Sequence, residues 1–233
     1  MFQEALNYPR NSDSAVKNVA IGGLLLFLSF LVVPTFFVLG YVVRTLRTVV
    51  NGNEEPPAFD EWGDLFVDGL KAFAIGLAYS LVPAVIAVVA VVTSGATLGV
   101  TGPGQGAGLA VALIALGALA LLTVVSLVLA YVLPAAIVAW VRTDSLGAAF
   151  SPGELRVYAF SKTYATGWVV AVGISLLAGI VSGVLGAVFV GALLAPFITF
   201  YANVAGAHAI GSAVREMPAV EDGSEAPASQ PAA

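Results

Sequence analysis

Formal charge is missing from most of this chain of 233 residues. No Asp, Glu, Lys or Arg occurs in residues 18–43, 72–141 or 163–214. A helix that crosses a bilayer needs roughly 20 apolar residues, and a charge at its centre costs about 2.5–3.5 kcal/mol. Each of the three apolar runs is long enough to cross a membrane, so the sequence predicts an all-α, polytopic membrane protein.

Cysteine is absent as well, and His208 is the only histidine. These absences exclude disulfides, thiolate metal sites and cysteine nucleophiles. No Ser-His-Asp arrangement is visible in the sequence either. We therefore expect a protein that is not an enzyme and that binds no metal and no cofactor.

The basic residues predict the orientation of the chain. They lie before, between and after the apolar runs, at Arg10, Lys17, Arg44, Arg47, Lys71, Arg142, Arg156, Lys162 and Arg215. None lies in the glycine-rich break from Thr93 to Gly108. Because cytoplasmic loops carry an excess of Lys and Arg, we predict a multi-pass protein of the cell membrane with both termini cytoplasmic and the break external.

This orientation predicts six membrane segments in three hairpins. The second and third hairpins comprise Phe73 to Val92 and Leu109 to Val141, with a turn at Gly102-Pro103-Gly104, and Trp168 to Val188 and Leu193 to Ser212, with a bend at Gly191 and Pro196. The first run, Val19 to Thr48, spans only about 22 Å per limb. It is either a short hairpin bent near Pro34 or one long tilted helix, which gives five segments as the alternative.

A short polar-to-apolar segment precedes each run. Asp64, Asp68 and Lys71 share one helical face before the second run, while Glu154 and Lys162 belong to a similar segment before the third. We predict interfacial amphipathic helices on the cytoplasmic leaflet; ordinary amphipathic connectors are the alternative. Residues 1–215 then form a single transmembrane domain, and the acidic, Pro/Ala-rich tail 216–233 is expected to be disordered.

Acidic residues outnumber basic ones by 14 to 9, and only three of the basic residues are Lys. An acid-rich, Lys-poor surface is favoured in a high-salt cytoplasm, because salt screens the repulsion between carboxylates. The composition therefore indicates a halophile. Drift in a GC-rich, Ala/Val-heavy genome is the alternative.

Several stretches carry a family resemblance. They are Glu54 to Lys71 with its central Phe-Asp-Glu-Trp-Gly-Asp, Tyr8-Pro9-Arg10 with Gly22-Gly23, Gly40-Tyr41 to Arg44, and Pro196 to Tyr201. Together they resemble the domain of unknown function 4013 family, integral membrane proteins common in archaea and especially haloarchaea. The resemblance implies the fold and the membrane setting but no catalytic residues. More distantly, the layout is similar to the membrane domain associated with glycerophosphodiester phosphodiesterases, a likeness of architecture alone.

A few polar side chains are candidates for function. The acidic residues Glu54, Glu55, Asp60, Glu61, Asp64 and Asp68 either bind a divalent cation through oxygen ligands or form a solvated loop. His208 is either part of a transport pathway or hydrogen-bonded to Asn203 or a backbone carbonyl. Trp62 and Trp168 are expected to anchor at the membrane interface.

Small residues repeat every four positions at Ala171, Ser175, Gly179, Gly183 and Ala187. Such a stripe lets helix backbones approach closely, within the chain or across a homodimer. The predicted partners are the lipid bilayer and a second copy or another membrane protein, with no nucleic acid.

The function remains a choice between hypotheses. The absence of buried charge favours a non-catalytic scaffold or accessory subunit. The alternative is a transporter or channel for an apolar or zwitterionic small molecule or lipid, with a cavity lined by Thr, Ser, Asn203 and Tyr201. A membrane-embedded lipid enzyme is the weakest hypothesis, because it needs acids that converge at the cytoplasmic interface.

Overall fold

A computed structural model describes residues 1–102, 104–187 and 189–217. Eight α-helices and three short 3-10 turns make up this part of the chain, which contains no strand. The helices are α1 (Phe2–Asn7), α2 (Ala15–Phe27), α3 (Val33–Val50), α4 (Trp62–Thr101), α5 (Gln105–Thr143), α6 (Pro152–Ala159), α7 (Lys162–Gly186) and α8 (Phe189–Arg215). The predicted all-α architecture is confirmed.

Five helices are long and apolar enough to cross a membrane: α3, α4, α5, α7 and α8. A sixth span is possible if residues 2–10 and 15–31, which meet at an angle of 92°, count as one broken crossing. The structure thus supports a multi-pass protein with the five or six segments that the sequence predicts.

The first run is not one continuous helix. Helix α2 ends at Phe27, a 3-10 turn covers Leu28–Leu31, and Val32 adopts φ 67° before α3 begins. A β-branched residue at positive φ is costly, and Pro34 in the first turn of α3 fixes the restart of the helix. The bend therefore lies next to Pro34, as the hairpin hypothesis predicts.

The glycine-rich break is shorter than predicted. Helix α4 continues through Gly95 and Gly99 to Thr101, and α5 restarts at Gln105. Only Gly102, at φ 68°, and the extended Gly104 leave the helical conformation; Pro103 lies outside the described residues. Glycine weakens a helix by only about 1 kcal/mol, which does not outweigh the hydrogen bonds that a backbone in lipid must make internally.

The polar segments before the second and third runs differ. Asp64, Asp68 and Lys71 lie in the first turns of α4 itself, so no separate interfacial helix precedes the second run. Before the third run, α6 is a separate short helix, as predicted. Its buried side chain is Tyr158. Burial raises the pKa of the Tyr158 hydroxyl, so this group stays neutral.

The third hairpin bends earlier than predicted. Gly191 and Pro196 lie inside α8, and α7 ends at Gly186. The change of direction therefore falls at the junction near Ala187, while Val188 lies outside the described residues. The part of the tail after Met217 also lies outside them, so the predicted disorder of the tail stays a prediction.

The buried core lies at the charged end of the bundle. Trp140 of α5, Tyr164 and Ile174 of α7, and Phe200 of α8 are almost completely buried. Side chains in the far halves of α4, α5 and α7 are largely exposed, for example Val88, Leu116 and Val184. The hairpins thus pack together at the charged end only. Beyond it, each helix pair is separate and exposes an apolar surface.

Glycines set the closest helix contacts. A Cβ added at Gly40 of α3 would overlap the carbonyl of Leu65, and one added at Gly69 of α4 would overlap the carbonyl of Phe36. At Gly22 of α2, an added Cβ would overlap the ring of Phe200. Small residues at helix crossings allow this close approach in membranes.

Side chains of α7 donate hydrogen bonds to carbonyls near a proline in α5, one of which the proline leaves without a donor. Pro134 has no N–H and leaves the carbonyl of Ala130 without its helical donor. The Trp168 Nε1–H donates to that carbonyl at 2.9 Å, and the Tyr164 hydroxyl donates to the neighbouring carbonyl of Tyr131 at 2.7 Å. Membrane helices tolerate proline when neighbours satisfy the freed groups, so these contacts fix α7 against α5.

Candidate functional site

The acidic loop between α3 and α4 folds back against the helices. Phe59 is buried, stacks on Tyr41 at 4.1 Å between ring centroids, and lies 5.9 Å from Phe200. Trp62, at the start of α4, continues this stack at 5.8 Å from Phe59 and is 43% exposed. Aromatic packing therefore holds the loop in place, and Trp62 covers its outer side.

Backbone carbonyls of the loop accept hydrogen bonds from three helices. The Tyr8 hydroxyl donates to Glu55 at 3.1 Å, while the Tyr41 hydroxyl and the Asn18 side-chain amide donate to Pro57 at 2.8 and 3.2 Å. Prolines suit this loop because they remove N–H groups that would otherwise need partners. The Phe-Asp-Glu-Trp region is thus a docked structural element of the fold.

Most acidic residues around the start of α4 form ion pairs. These acidic residues and their basic partners line an open cleft of about 860 Å³. The pairs are Asp60–Arg44 at 2.6 Å, Glu61–Arg44 at 3.4 Å, Asp68–Arg47 at 2.8 Å, Asp68–Lys71 at 4.0 Å and Asp144–Arg47 at 3.7 Å. Asp64 also lines the cleft. The pairs whose carboxylates are exposed, those of Asp60, Glu61 and Asp144, contribute at most about 1 kcal/mol each.

The arrangement does not gather acids around a cation. In residues 1–102, 104–187 and 189–217, no three His, Asp or Glu side chains converge on a metal-sized space. Each paired carboxylate faces a guanidinium or ammonium group instead. The paired acids Asp60 and Glu61 thus belong to a docked loop, and the divalent-cation site stays a prediction.

His208 lies at the bottom of a polar cleft of about 530 Å³, lined also by Glu4, Glu54 and Arg215. Its ring packs on the ring of Tyr8, with 4.4 Å between centroids. Its buried Nδ1 has no hydrogen-bond partner among the described residues. The expected bond to Asn203 or a carbonyl is therefore not formed at Nδ1.

Tyr201 ties α1 to α8. Its hydroxyl donates to the carbonyl of Leu6, and the Arg10 guanidinium lies 5.7 Å from the centre of its ring. Tyr201 lies away from Asn203, so the two do not share the cavity that the transporter hypothesis expects.

A groove of about 400 Å³ separates α5 from α7 and α8 and is closed on one side by α3. We call it the interhelical groove. Val42 of α3, Pro134 of α5, Trp168 and Ser175 of α7, and Asn203 of α8 lie on its walls. None of its described lining residues is Asp, Glu, Lys or Arg. The size is that of a small-molecule site, which is typically concave and mostly apolar with few polar groups.

Asn203 is the distinctive polar group of the interhelical groove. It is exposed, and its side-chain amide makes no hydrogen bond to any described residue. In the candidate span Gly191–Arg215 it lies twelve residues from either end, about 18 Å along the helix. Ser175, by contrast, satisfies its hydroxyl by donating to Ala171 at 2.9 Å. The groove thus presents one unpaired primary amide within an apolar span.

The small-residue stripe on α7 divides into two parts. Ala171 is buried against α8 near Gly206, while Ser175, Gly179, Gly183 and Ala187 are exposed. A Cβ added at Gly179 or Gly183 would meet no atom within 4 Å. Gly179 and Gly183 therefore make no close helix contact within the described part of the chain.

The sequence analysis singled out Asn203 and Trp168 separately but missed the groove that joins them with Pro134. The available signal was the combination of a proline in one run with a tryptophan in another. This combination does not predict a groove, because the groove depends on the spacing between α5 and α8, which hydropathy does not encode.

Comparison with known proteins gives one informative result. No curated protein and no solved structure matches the chain. A family model described as a protein of unknown function, DUF4013, matches residues 27–190. The matched region includes the docked acidic loop, the Gly40–Gly69 crossing and much of the groove, whereas Tyr8-Pro9-Arg10 and residues 196–201 lie outside it. Because the match covers more than half of its length, the chain belongs to the DUF4013 family.

Proposed function

We propose that this chain is a non-catalytic membrane protein that binds and carries an apolar, uncharged molecule in the interhelical groove. The observation that supports the proposal is the unpaired Asn203 amide in an uncharged groove of about 400 Å³. An ion or a charged headgroup entering such a groove would lose its hydration without gaining a counter-charge. A neutral molecule would lose little and would gain apolar contact along the walls.

Asn203 narrows the chemistry of the occupant further. Its amide carries one acceptor oxygen and two N–H donors. An amide without a partner in an apolar environment costs roughly 2–7 kcal/mol, so a carbonyl or hydroxyl on an otherwise apolar molecule would complete the site. Trp168 supplies a flat wall, and its indole N–H is already used by Ala130. The site thus favours a neutral lipid or small apolar molecule with one polar group.

Native mass spectrometry of the chain purified in mild detergent tests this proposal. We expect wild type to retain a small neutral molecule that Asn203→Leu and Ser175→Leu lose, because leucine removes the polar group or fills the groove. Thr123→Leu is the matched control. Thr123 is also an exposed polar residue within an apolar helix, but it lies on α5 outside the groove. Wild type that carries no such molecule after purification contradicts the proposal.

A scaffold or accessory subunit is the second candidate function. The exposed part of the small-residue stripe favours it, because Gly179 and Gly183 offer a surface for close helix contact that none of the described helices occupies. The same spectra carry the test. A stoichiometric second protein, or a second copy of the chain, would support the scaffold, whereas a bare monomer would contradict it.

A further inference from the structure

Two apolar clefts meet at Arg10, on the side of α8 that faces α1 and α2. One, of about 330 Å³, lies between α1, α7 and α8 and includes Ala178; the other, of about 430 Å³, lies between α2 and α8 and includes Ala20. Phe197 and Tyr201 of α8 line both clefts. They form a ridge with one cleft on either side and Arg10 at the shared end.

Arg10 differs from the arginines of the acidic loop region. Arg44 and Arg47 are held by carboxylates, whereas Arg10 is exposed and its guanidinium has no ion pair or hydrogen bond to any described residue. The Tyr201 ring supports it at 5.7 Å, a distance typical of a cation–π contact. Because Tyr201 is itself tied to Leu6, the guanidinium is placed beside the clefts with its donors available.

We propose that Arg10 binds the phosphate of an anionic, two-chain phospholipid whose two chains occupy the clefts on either side of the Phe197–Tyr201 ridge. A guanidinium presents a planar set of donors that matches phosphate oxygens bidentately. Basic pockets between membrane helices bind anionic headgroups in this way. The clefts supply the apolar surface that two hydrocarbon chains cover.

The lining of the clefts also predicts the headgroup. None of the described residues that line either cleft is Asp or Glu. The ammonium group of a zwitterionic lipid would therefore find no counter-charge, while the net negative charge of an anionic lipid is matched by Arg10. This site is separate from the interhelical groove, whose uncharged walls suit a neutral molecule.

Lipid binding to the detergent-purified full chain tests the proposal by native mass spectrometry. The probes are phosphatidylglycerol, phosphatidylcholine of the same chain length, and inorganic phosphate. We expect wild type to bind one phosphatidylglycerol at least about tenfold more tightly than phosphatidylcholine, a difference of about 1.4 kcal/mol. Both lipids offer a phosphate to Arg10, but only phosphatidylcholine also carries an ammonium group, which finds no carboxylate among the described residues that line the clefts. Arg10→Gln should remove this preference, and Arg10→Lys should retain part of it.

Two further variants separate the headgroup from the chains. Arg156→Gln is the matched control, because Arg156 is also exposed but lines neither cleft; it should bind as wild type does. Ala20→Phe fills one cleft from an exposed position and should weaken phosphatidylglycerol binding while Arg10 is intact.

Three results would overturn the proposal: equal binding of both lipids by wild type, equal losses in Arg10→Gln and Arg156→Gln, or displacement of phosphatidylglycerol by millimolar inorganic phosphate. The last would assign the site to free phosphate. None of these results depends on a molecule in the interhelical groove, which Asn203→Leu tests separately. The wild-type comparison of the two lipids stands even if Arg10→Gln fails to fold.

Discussion

At the scale of single residues, Gly40 and Gly69 decide how closely α3 and α4 approach. Added Cβ atoms at these positions would overlap backbone carbonyls, which cannot move aside as a flexible side chain can. We expect Gly69→Ala to destabilise the protein by about 1–3 kcal/mol, the usual cost of overpacking. A lower melting temperature in detergent, with early loss of helicity on titration with SDS, would measure the effect.

Gly76 gives the control for this substitution. It lies on the same helix two turns later, and an added Cβ would meet nothing within 4 Å. Gly76→Ala should leave the melting temperature unchanged or raise it, since alanine is favoured over glycine in a helix by roughly 0.5–1 kcal/mol. Equal destabilisation by both substitutions would show that the close crossing does not limit stability.

The sequence shows both glycines but does not show that each one faces a backbone carbonyl of the other helix. Each lies in a stretch that carries the family resemblance, yet neither stretch indicates which backbone faces it. The contact depends on the register between α3 and α4, and hence on the length and docking of the loop between them. Asn203 illustrates the same limit: its residue type indicated a polar group in the membrane, but only the packing of α5 showed that it lines a groove.

At the scale of elements, the docked loop is held chiefly by Phe59. Its ring is 7% exposed and contacts Tyr41 and Phe200, and loss of a buried phenylalanine costs about 3–5 kcal/mol. We expect Phe59→Ala to release the loop and to accelerate cleavage after Glu54 by a glutamate-specific protease at least about tenfold, since cleavage tracks the open population.

Phe160→Ala is the control for the loop experiment, because Phe160 is 84% exposed and contributes little buried area. Unchanged cleavage in Phe59→Ala would mean that the carbonyl hydrogen bonds from Tyr8, Tyr41 and Asn18 hold the loop without the aromatic stack. The experiment therefore separates the contribution of the aromatic stack from that of the carbonyl hydrogen bonds.

Helices were the most predictable elements and their ends the least. Hydropathy located all the long helices, because each charge-free run needs a helix in lipid. It located the turn at Gly102 correctly but ended the flanking helices several residues too early, and it misplaced the turn near Ala187. Glycine and proline that would end a helix in water remain helical in an apolar setting. Pro134 shows why: the side chains of Trp168 and Tyr164 supply the missing hydrogen bonds.

At the scale of the whole molecule, the direction of the helices is the property to measure. The native chain has no cysteine, so single cysteines introduced at the exposed positions Gln3, Asn53 and Gly106 report which side each faces. Six spans predict that an impermeant maleimide reaches only the Gly106 position in intact cells, because basic residues keep the other two cytoplasmic. Labelling at Gln3 without labelling at Asn53 would instead establish five spans and an external N-terminus.

The stack between Phe59 and Phe200 also orders the events of biogenesis. The two residues are separated by 141 positions, so a ribosome that adds about 5–20 residues per second synthesises the second partner roughly 7–28 s after the first. During that interval the acidic loop can contact Tyr8, Asn18 and Tyr41, but it lacks its contact with α8. Docking of the loop is therefore completed only after translation of α8, and nascent chains stalled before Phe200 should expose the loop to protease more than the full chain does.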